Sequence, residues 1–169
     1  TSDGSTTTYS LNSVLNAVDN CSIIGVNAPT ATNIFSCIYS GFDDFATFNL
    51  LFRYSDDGKL FAGFNGVSAA GNYTSTTSYT AQQNLLFLNF DNSFSAGNQA
   101  DLFVNSTDFV MTGANSTGTL KSPTNGYIGS RSGSNKFNGT MQELVLYTTE
   151  QDGVRNGIET NVNTFYIIY

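Results

Sequence analysis

The sequence predicts an all-β protein, a two-sheet antiparallel jelly-roll sandwich with one short C-terminal helix. Three observations predict it. Asn, Ser, Thr and Gly number 20, 19, 21 and 16 of the 169 residues, a composition that suits turns and strands better than helices. Short apolar or alternating runs recur at spacings of roughly 8–12 residues with turn residues between them, as in sandwiches and jelly rolls. After the last long run the period changes to four, with Val154, Ile158 and Val162 on one helical face.

Taken in order, residues 1–8 are rich in Ser, Thr and Gly and read as a loose arm, leaving 9–169 as one sandwich domain. Residues 9–18 are ambiguous, because Leu11, Val14, Leu15 and Val18 have helical spacing while an irregular first strand is equally compatible. Two apolar runs, 22–26 and 34–39, lie beside Cys21 and Cys37. The cysteines would pair if the runs were adjacent strands; otherwise they are two small buried hydrophobes. Residues 46–54 give the cleanest alternation, with Phe48, Leu50, Phe52 and Tyr54 on one side and Thr47, Asn49 and Arg53 on the other. Ser55-Asp56-Asp57-Gly58 turns this strand into a hairpin with 59–64.

Residues 71–80 read as a polar edge strand. The run Leu85-Leu86-Phe87-Leu88-Asn89-Phe90 is apolar on both faces and belongs at the centre of a covered sheet. Residues 91–99 form a loop, 101–104 and 109–111 a hairpin across Asn105-Ser106, and 113–125 a long surface excursion. Residues 127–128, 141–147 and 165–169 complete about ten to twelve strands. Thr148-x-x-Gln151 or Thr149-x-x-Asp152 offers a capping box for the helix, and Arg155 stands four residues before Glu159 as a modest surface pair.

Charge narrows the function. Only 11% of residues are charged, against about 25% in a typical soluble protein. The net charge is −7 and the six basic residues are spread singly, which disfavours contact with nucleic acid. No apolar run approaches the roughly 18 residues of a membrane helix, so no membrane insertion is expected. The absence of histidine removes Ser-His and Cys-His catalysis and the commonest zinc ligand.

The C-terminal third carries a family resemblance. Phe137-Asn138-Gly139-Thr140-Met141-Gln142-Glu143-Leu144-Val145-Leu146-Tyr147 resembles the late strand of laminin-G-like, concanavalin A-like jelly rolls, which a short helix follows. Ala100-Asp101-Leu102-Phe103-Val104-Asn105-Ser106 and Tyr127-Ile128-Gly129 resemble two further strands of that family, so the resemblance covers about residues 84–169. The ending from Asn156 is similar to a version of the domain found in structural and adhesive proteins of aquatic phages and bacteria. Ser106 departs from the family's Gly and puts the turn after Val104 in question. The resemblance speaks to fold more than to function, since this superfamily includes lectins, glycosidases, adhesion modules and capsid parts.

Three functional readings follow. The first is a non-enzymatic adhesion domain of a virion or cell surface that recognises glycans, with Tyr39, Tyr73, Tyr79 and Tyr127 as the tyrosines placed in polar company to stack on sugar rings. The second is a structural module that packs against copies of itself or against other particle proteins. The third, a glycosidase, needs two carboxylates across a cleft. The family's Glu-x-Asp-x-x-Glu strand is absent here, and Glu143, on the side of Met141, Val145 and Tyr147, reads as a structural carboxylate. No cofactor is required. The acidic loops and the resemblance would suit Ca2+, with Asp43 and Asp44 as its ligands ahead of Asp56-Asp57 and Asp91-Asn92.

Overall fold

The computed structural model describes residues 9–12, 15, 18–32, 35–42, 48–65, 72–113, 119–131 and 135–169. These form twelve strands: β1 (Tyr9–Asn12), β2 (Asn20–Pro29), β3 (Ser36–Phe42), β4 (Phe48–Tyr54), β5 (Leu60–Phe64), β6 (Asn72–Ser75), β7 (Asn84–Asp91), β8 (Ala100–Val104), β9 (Thr107–Asp108), β10 (Met111–Gly113), β11 (Asn125–Ile128) and β12 (Gly139–Tyr147). A 3-10 turn at Asp152–Val154 leads into helix α1 (Arg155–Tyr166). The strands make a seven-stranded sheet in the order β1-β11-β3-β4-β5-β6-β10 and a five-stranded sheet in the order β12-β2-β7-β8-β9. Every pairing is antiparallel. This is the jelly-roll sandwich the sequence predicts.

The alternation in β4 shows how the core is assembled. Leu50, Phe52 and Tyr54 turn inward and are fully buried, while Leu51 packs on the outer face of the same sheet with Cys37, Phe61 and Tyr127. The inward set meets Ile23, Leu86, Leu88 and Phe90 from the five-stranded sheet, and Phe64 stacks on Phe90 with ring centroids 4.3 Å apart. Each such side chain stabilises the fold by about 1.5–3 kcal/mol. Strand β7 lies at the middle of its sheet, as its two apolar faces require. Leu86, Leu88 and Phe90 enter the inter-sheet core, whereas Leu85 and Phe87 pack under Ile158, Val162 and Tyr166 of α1. The predicted β4–β5 hairpin also forms, with Gly58 at φ 78° and Lys59 N–H donating to Asp57 Oδ1 at 3.1 Å.

The structure settles two readings the sequence left open, at residues 9–12 and at the two cysteines, and changes several others. Residues 9–12 are a strand paired with β11 rather than a helix. The 71–80 strand, β6, is not an edge, because β10 pairs beyond it. Residues 107–108, not 109–111, complete the hairpin with β8, and Met111 begins a strand of the opposite sheet. Asn105 and Ser106 hold φ values of 52° and 60°, the left-handed pair of a tight two-residue hairpin turn, a conformation that glycine adopts more readily than Ser. Cys21 and Cys37 belong to different sheets and are free thiols, and burial pushes each up to about 12. No capping box forms at Thr148 or Thr149, since Glu150 Oε2 accepts from Asp152 N–H at 2.7 Å instead. The 165–169 strand does not exist, because α1 runs to Tyr166.

Helix α1 stops at Ile167, whose φ of 53° and ψ of 61° are left-handed. Asn163 secures the turn, accepting Ile168 N–H at 2.8 Å on its side chain and Ile167 N–H at 2.7 Å on its carbonyl. A β-branched residue is strained there by about 1–2 kcal/mol. Since Ile167 is 84% exposed, little packing offsets that strain. Ile167→Gly is therefore expected to raise stability by about 1 kcal/mol, read as a higher urea midpoint at unchanged m.

Candidate functional site

Of the four candidate tyrosines, three are core. Tyr39 and Tyr73 are wholly buried and Tyr79 is 3% exposed. Tyr73 packs edge-on against Phe64, and Tyr79 lies 4.3 Å from Tyr54 with its hydroxyl donating to Ala31 O at 3.1 Å. Burial, then the Asp57 charge, pushes the Tyr79 phenol up to about 12, and burial first raises Tyr39 as well. None of the three can offer a ring face to a ligand. Polar neighbours in sequence did not mean exposure: in β6 they alternate with the inward Tyr73, and Tyr79 follows that strand in an irregular segment packed on Tyr54. Tyr127 differs: it is partly exposed on the outer face of the seven-stranded sheet. Asp43 and Asp44 lie outside the described residues. Among the described residues no cluster of three or more Asp, Glu, His or Cys could hold a metal ion.

A polar pocket of about 170 Å³ opens at the end of the five-stranded sheet, lined by Asn89, Asp91, Phe94, Gln99, Asp101, Glu150, Asp152 and Gly153. Three pieces of chain build it: the end of β7, the 92–99 loop leading into β8, and the segment before α1. Its floor is a buried network in which Ser22 Oγ donates to Asn89 Oδ1 and accepts from Gln151 N–H at 2.9 Å. Asn89 Nδ2 reaches Glu150 Oε2 at 3.4 Å. Gln99, also buried, donates to Asn92 Oδ1 at 3.1 Å and fixes the loop.

Two of the four carboxylates are committed to the backbone, Asp91 to Ser93 N–H at 2.8 Å and Glu150 to Asp152 N–H. Asp101 and Asp152 face the opening, with Arg155 Nε 3.5 Å from Asp152. Burial, followed by the charges of Asp108 and Asp152, raises the Asp101 carboxyl above its ordinary value. Phe94 stands at the mouth with 56% of its surface exposed. The pocket therefore couples an apolar ring to a rim of oxygen acceptors. Sequence reading gave Asp91 only a minor place and missed Phe94, although an aromatic inside an Asn/Ser/Gly loop is itself a signal.

Glu143 lies elsewhere, in a groove of about 370 Å³ between β12 and α1 with Val145, Tyr147, Ile158 and Val162. A β-bulge between Met141 and Glu143 turns Met141 into the inter-sheet core, so Glu143 shares its face with Val145 and Tyr147 but not with Met141. Burial, then the charge of Glu143, raises the Tyr166 phenol above its ordinary value.

No protein-family model matches the chain, and no curated protein matches its sequence. Solved structures do match. The carbohydrate-binding module CBM40 of the Ruminococcus gnavus IT-sialidase, bound to α2,3 sialyllactose, superposes with a TM-score of 0.65 at 12% identity over 90% of this chain and 97% of that one. A heptameric SAP-like pentraxin from Limulus polyphemus gives 0.60 at 11% identity over 86% and 70%. Botulinum neurotoxin type C, in a structure describing its interaction with two ganglioside molecules, gives 0.60 at 10% over 85% of this chain but only 36% of its own. At such identities the likeness is one of fold alone: the chain is a two-sheet antiparallel jelly-roll sandwich.

Proposed function

We propose that this domain is a non-enzymatic glycan-binding module, displayed on a cell or virion surface, that takes a neutral sugar in the Phe94 pocket. The exposed Phe94 ring at the mouth of an acceptor-lined pocket carries the reading. A pyranose presents C–H groups to an aromatic face and hydroxyl donors to carboxylates, and this pocket supplies both kinds of partner. Its four carboxylates would repel an anionic sugar, so a neutral ligand is favoured there over a sialylated one. The carboxylates of Asp91 and Glu150, held by backbone N–H groups, are poor candidates for proton transfer. The structural neighbours support the class of ligand only by analogy of fold.

A glycan array, read with calcium and with a chelator, tests the proposal. Binding to neutral glycans is expected, and Phe94→Ala should weaken it about tenfold with no change in Tm, because the ring is mostly in solvent. Loss of binding in chelator would put an ion beside the site. The second reading, an assembly module, rests on Phe165, Ile167 and Tyr169, which are 79%, 84% and 53% exposed at the end of α1. A blank array with folded protein and an oligomeric mass in solution would establish it instead.

A further inference from the structure

Four strands form the edges of the two sheets, and three of them are short: β1 has four residues, β10 three and β9 two. The fourth, β12, has nine, and among the described residues nothing pairs with its outer side. Long free edges are ordinarily guarded by lysine, proline, a bulge or an inward charge. Here the guards are a bulge between Met141 and Glu143 and the strand's single charge, Glu143 itself. Beyond the bulge, residues 143–147 run in unbroken register with β2. All five are partly exposed, including Leu144 and Leu146, which face the core.

Beside this edge, the groove between β12 and α1 continues into a second cavity of about 310 Å³ lined by Glu143, Asn161, Val162, Phe165 and Tyr166. Val154 and Phe165, 56% and 79% exposed, line the two cavities from either end of α1. Glu143 borders both and meets no cation within ion-pair distance among the described residues. An occupant therefore has to bring main-chain donors and acceptors to the edge, apolar side chains to the groove and a hydrogen-bond donor to Glu143.

A second copy of β12 brings all three in one register. When two antiparallel edges meet about a two-fold axis, opposite residues point to the same face. An axis through Val145 overlaps the whole of residues 143–147. On the groove side Val145 then meets itself, and each Glu143 carboxylate meets the phenol O–H of the partner's Tyr147. On the core side Leu144 meets the partner's Leu146. An axis through Glu143 would set two carboxylates opposite one another, whereas the axis through Val145 keeps them about 13 Å apart. A five-residue seam alone falls short of the roughly 800 Å² per partner of a stable dimer, and the apolar walls of the two grooves, Val154 and Phe165 among them, adjoin the seam and add to it. The pair is also closed. Once two β12 edges meet, the joined sheet ends at the two-residue β9 on both sides, which leaves no long edge for a third copy.

We infer that the β12 edge is a self-association surface, at which two copies of this chain join their five-stranded sheets into one continuous sheet about a two-fold axis through Val145. None of the residues lining the Phe94 pocket takes part, so the pairing stands whether or not that pocket binds glycans. With glycans bound, it holds two pockets on one body and gains from multivalency. A contact made only by the exposed end of α1 would leave β12 free, and the two are separable.

Sedimentation velocity of the whole chain at about 100 µM is the first test, and twice the chain's 18.2 kDa is the expected mass. Val145→Lys, which opposes two ammonium groups at the axis, should raise the dissociation constant at least about 100-fold. Tyr147→Phe, which removes a donor at both ends of the seam, should raise it about tenfold. Phe94→Ala should not move it. Cross-linking reads the register directly. Val145→Cys with oxidised glutathione should give a covalent dimer, because opposite Cα atoms stand about 4.5–5.5 Å apart, within reach of a disulfide. Thr140→Cys, exposed on the same strand but far from the axis, should not, and the native Cys21 and Cys37 are buried thiols pushed up to about 12 and inert. A monomer at that concentration, a mass above two copies, an undiminished dimer in V145K, or cross-linking no faster at position 145 than at 140 would each overturn the proposal. Should V145K fail to fold, the cross-linking result decides alone.

Discussion

Glu159→Ala is expected to destabilise the protein by about 3 kcal/mol and to lower Tm by roughly 6–12 °C. From sequence, Arg155 and Glu159 form an exposed i,i+4 pair, worth about 0.3–0.5 kcal/mol. The structure moves the pair to the helix–sheet interface. Glu159 is 2% exposed, Arg155 Nη1 donates to its Oε2 at 2.8 Å, and Ser106 Oγ, from the β8–β9 turn, donates to the same oxygen at 2.9 Å. The guanidinium lies 3.7 Å above the ring of Phe103 in β8. Removing the carboxylate leaves the guanidinium over a phenyl ring with only the longer contact of its Nε to Asp152 at 3.5 Å, and takes the acceptor from the Ser106 hydroxyl, and these two losses dominate. Glu159→Gln, which retains an acceptor for Ser106, should cost less. A double-mutant cycle with Arg155→Ala should return a coupling of at least about 1 kcal/mol; a value near 0.3 would mean that the pair behaves as a surface pair after all.

This pair also shows what the sequence could and could not convey. Periodicity located β4, β5, β7, β12 and α1, since each signal is local and each buried face repeats at its own spacing. The two faces of β7 even predicted a second layer, which α1 supplies through Ile158 and Val162. What could not be read was which chain segments meet across the sandwich. Ser106 looked like a defect in a turn, yet it holds left-handed φ and its hydroxyl reaches Glu159, 53 residues on. Polar neighbours pointed to Tyr73 and Tyr79, but composition sets neither the phase of the short strand β6, which turns Tyr73 inward, nor the path of the irregular segment after it, which packs Tyr79 on Tyr54. The pocket joins residues 89–101 to 150–153, a contact made only once the segment before α1 crosses the end of β7.

Gly139→Ala is expected to cost about 3 kcal/mol, although it adds a single methyl group. Asn138-Gly139 was legible as a turn that opens the C-terminal strand, but the reason for glycine is a close approach of two backbones. At Gly139, φ is 154°, and an added Cβ would sit 2.1 Å from Ala28 O and 2.9 Å from Pro29 Cα, both in the main chain of β2. No rotamer change relieves a clash with backbone, so the strands must part at this end. Separation there would loosen Gly139 from Pro29 and Thr140 from Ala28 in the ladder, together with the bond from Thr30 N–H to Asn138 O at 3.0 Å. Gly157→Ala is the internal control. It adds the same methyl in α1, where nothing lies within 4 Å, and helix propensity alone predicts a gain of up to about 1 kcal/mol. Urea unfolding of the two variants should move the midpoint in opposite directions. Because β12 and α1 are consecutive, opposite signs would show that the C-terminal third is held by the β2–β12 seam rather than by the helix; a Gly139→Ala midpoint equal to the parent's would mean that β12 can shift away from Ala28 at little cost.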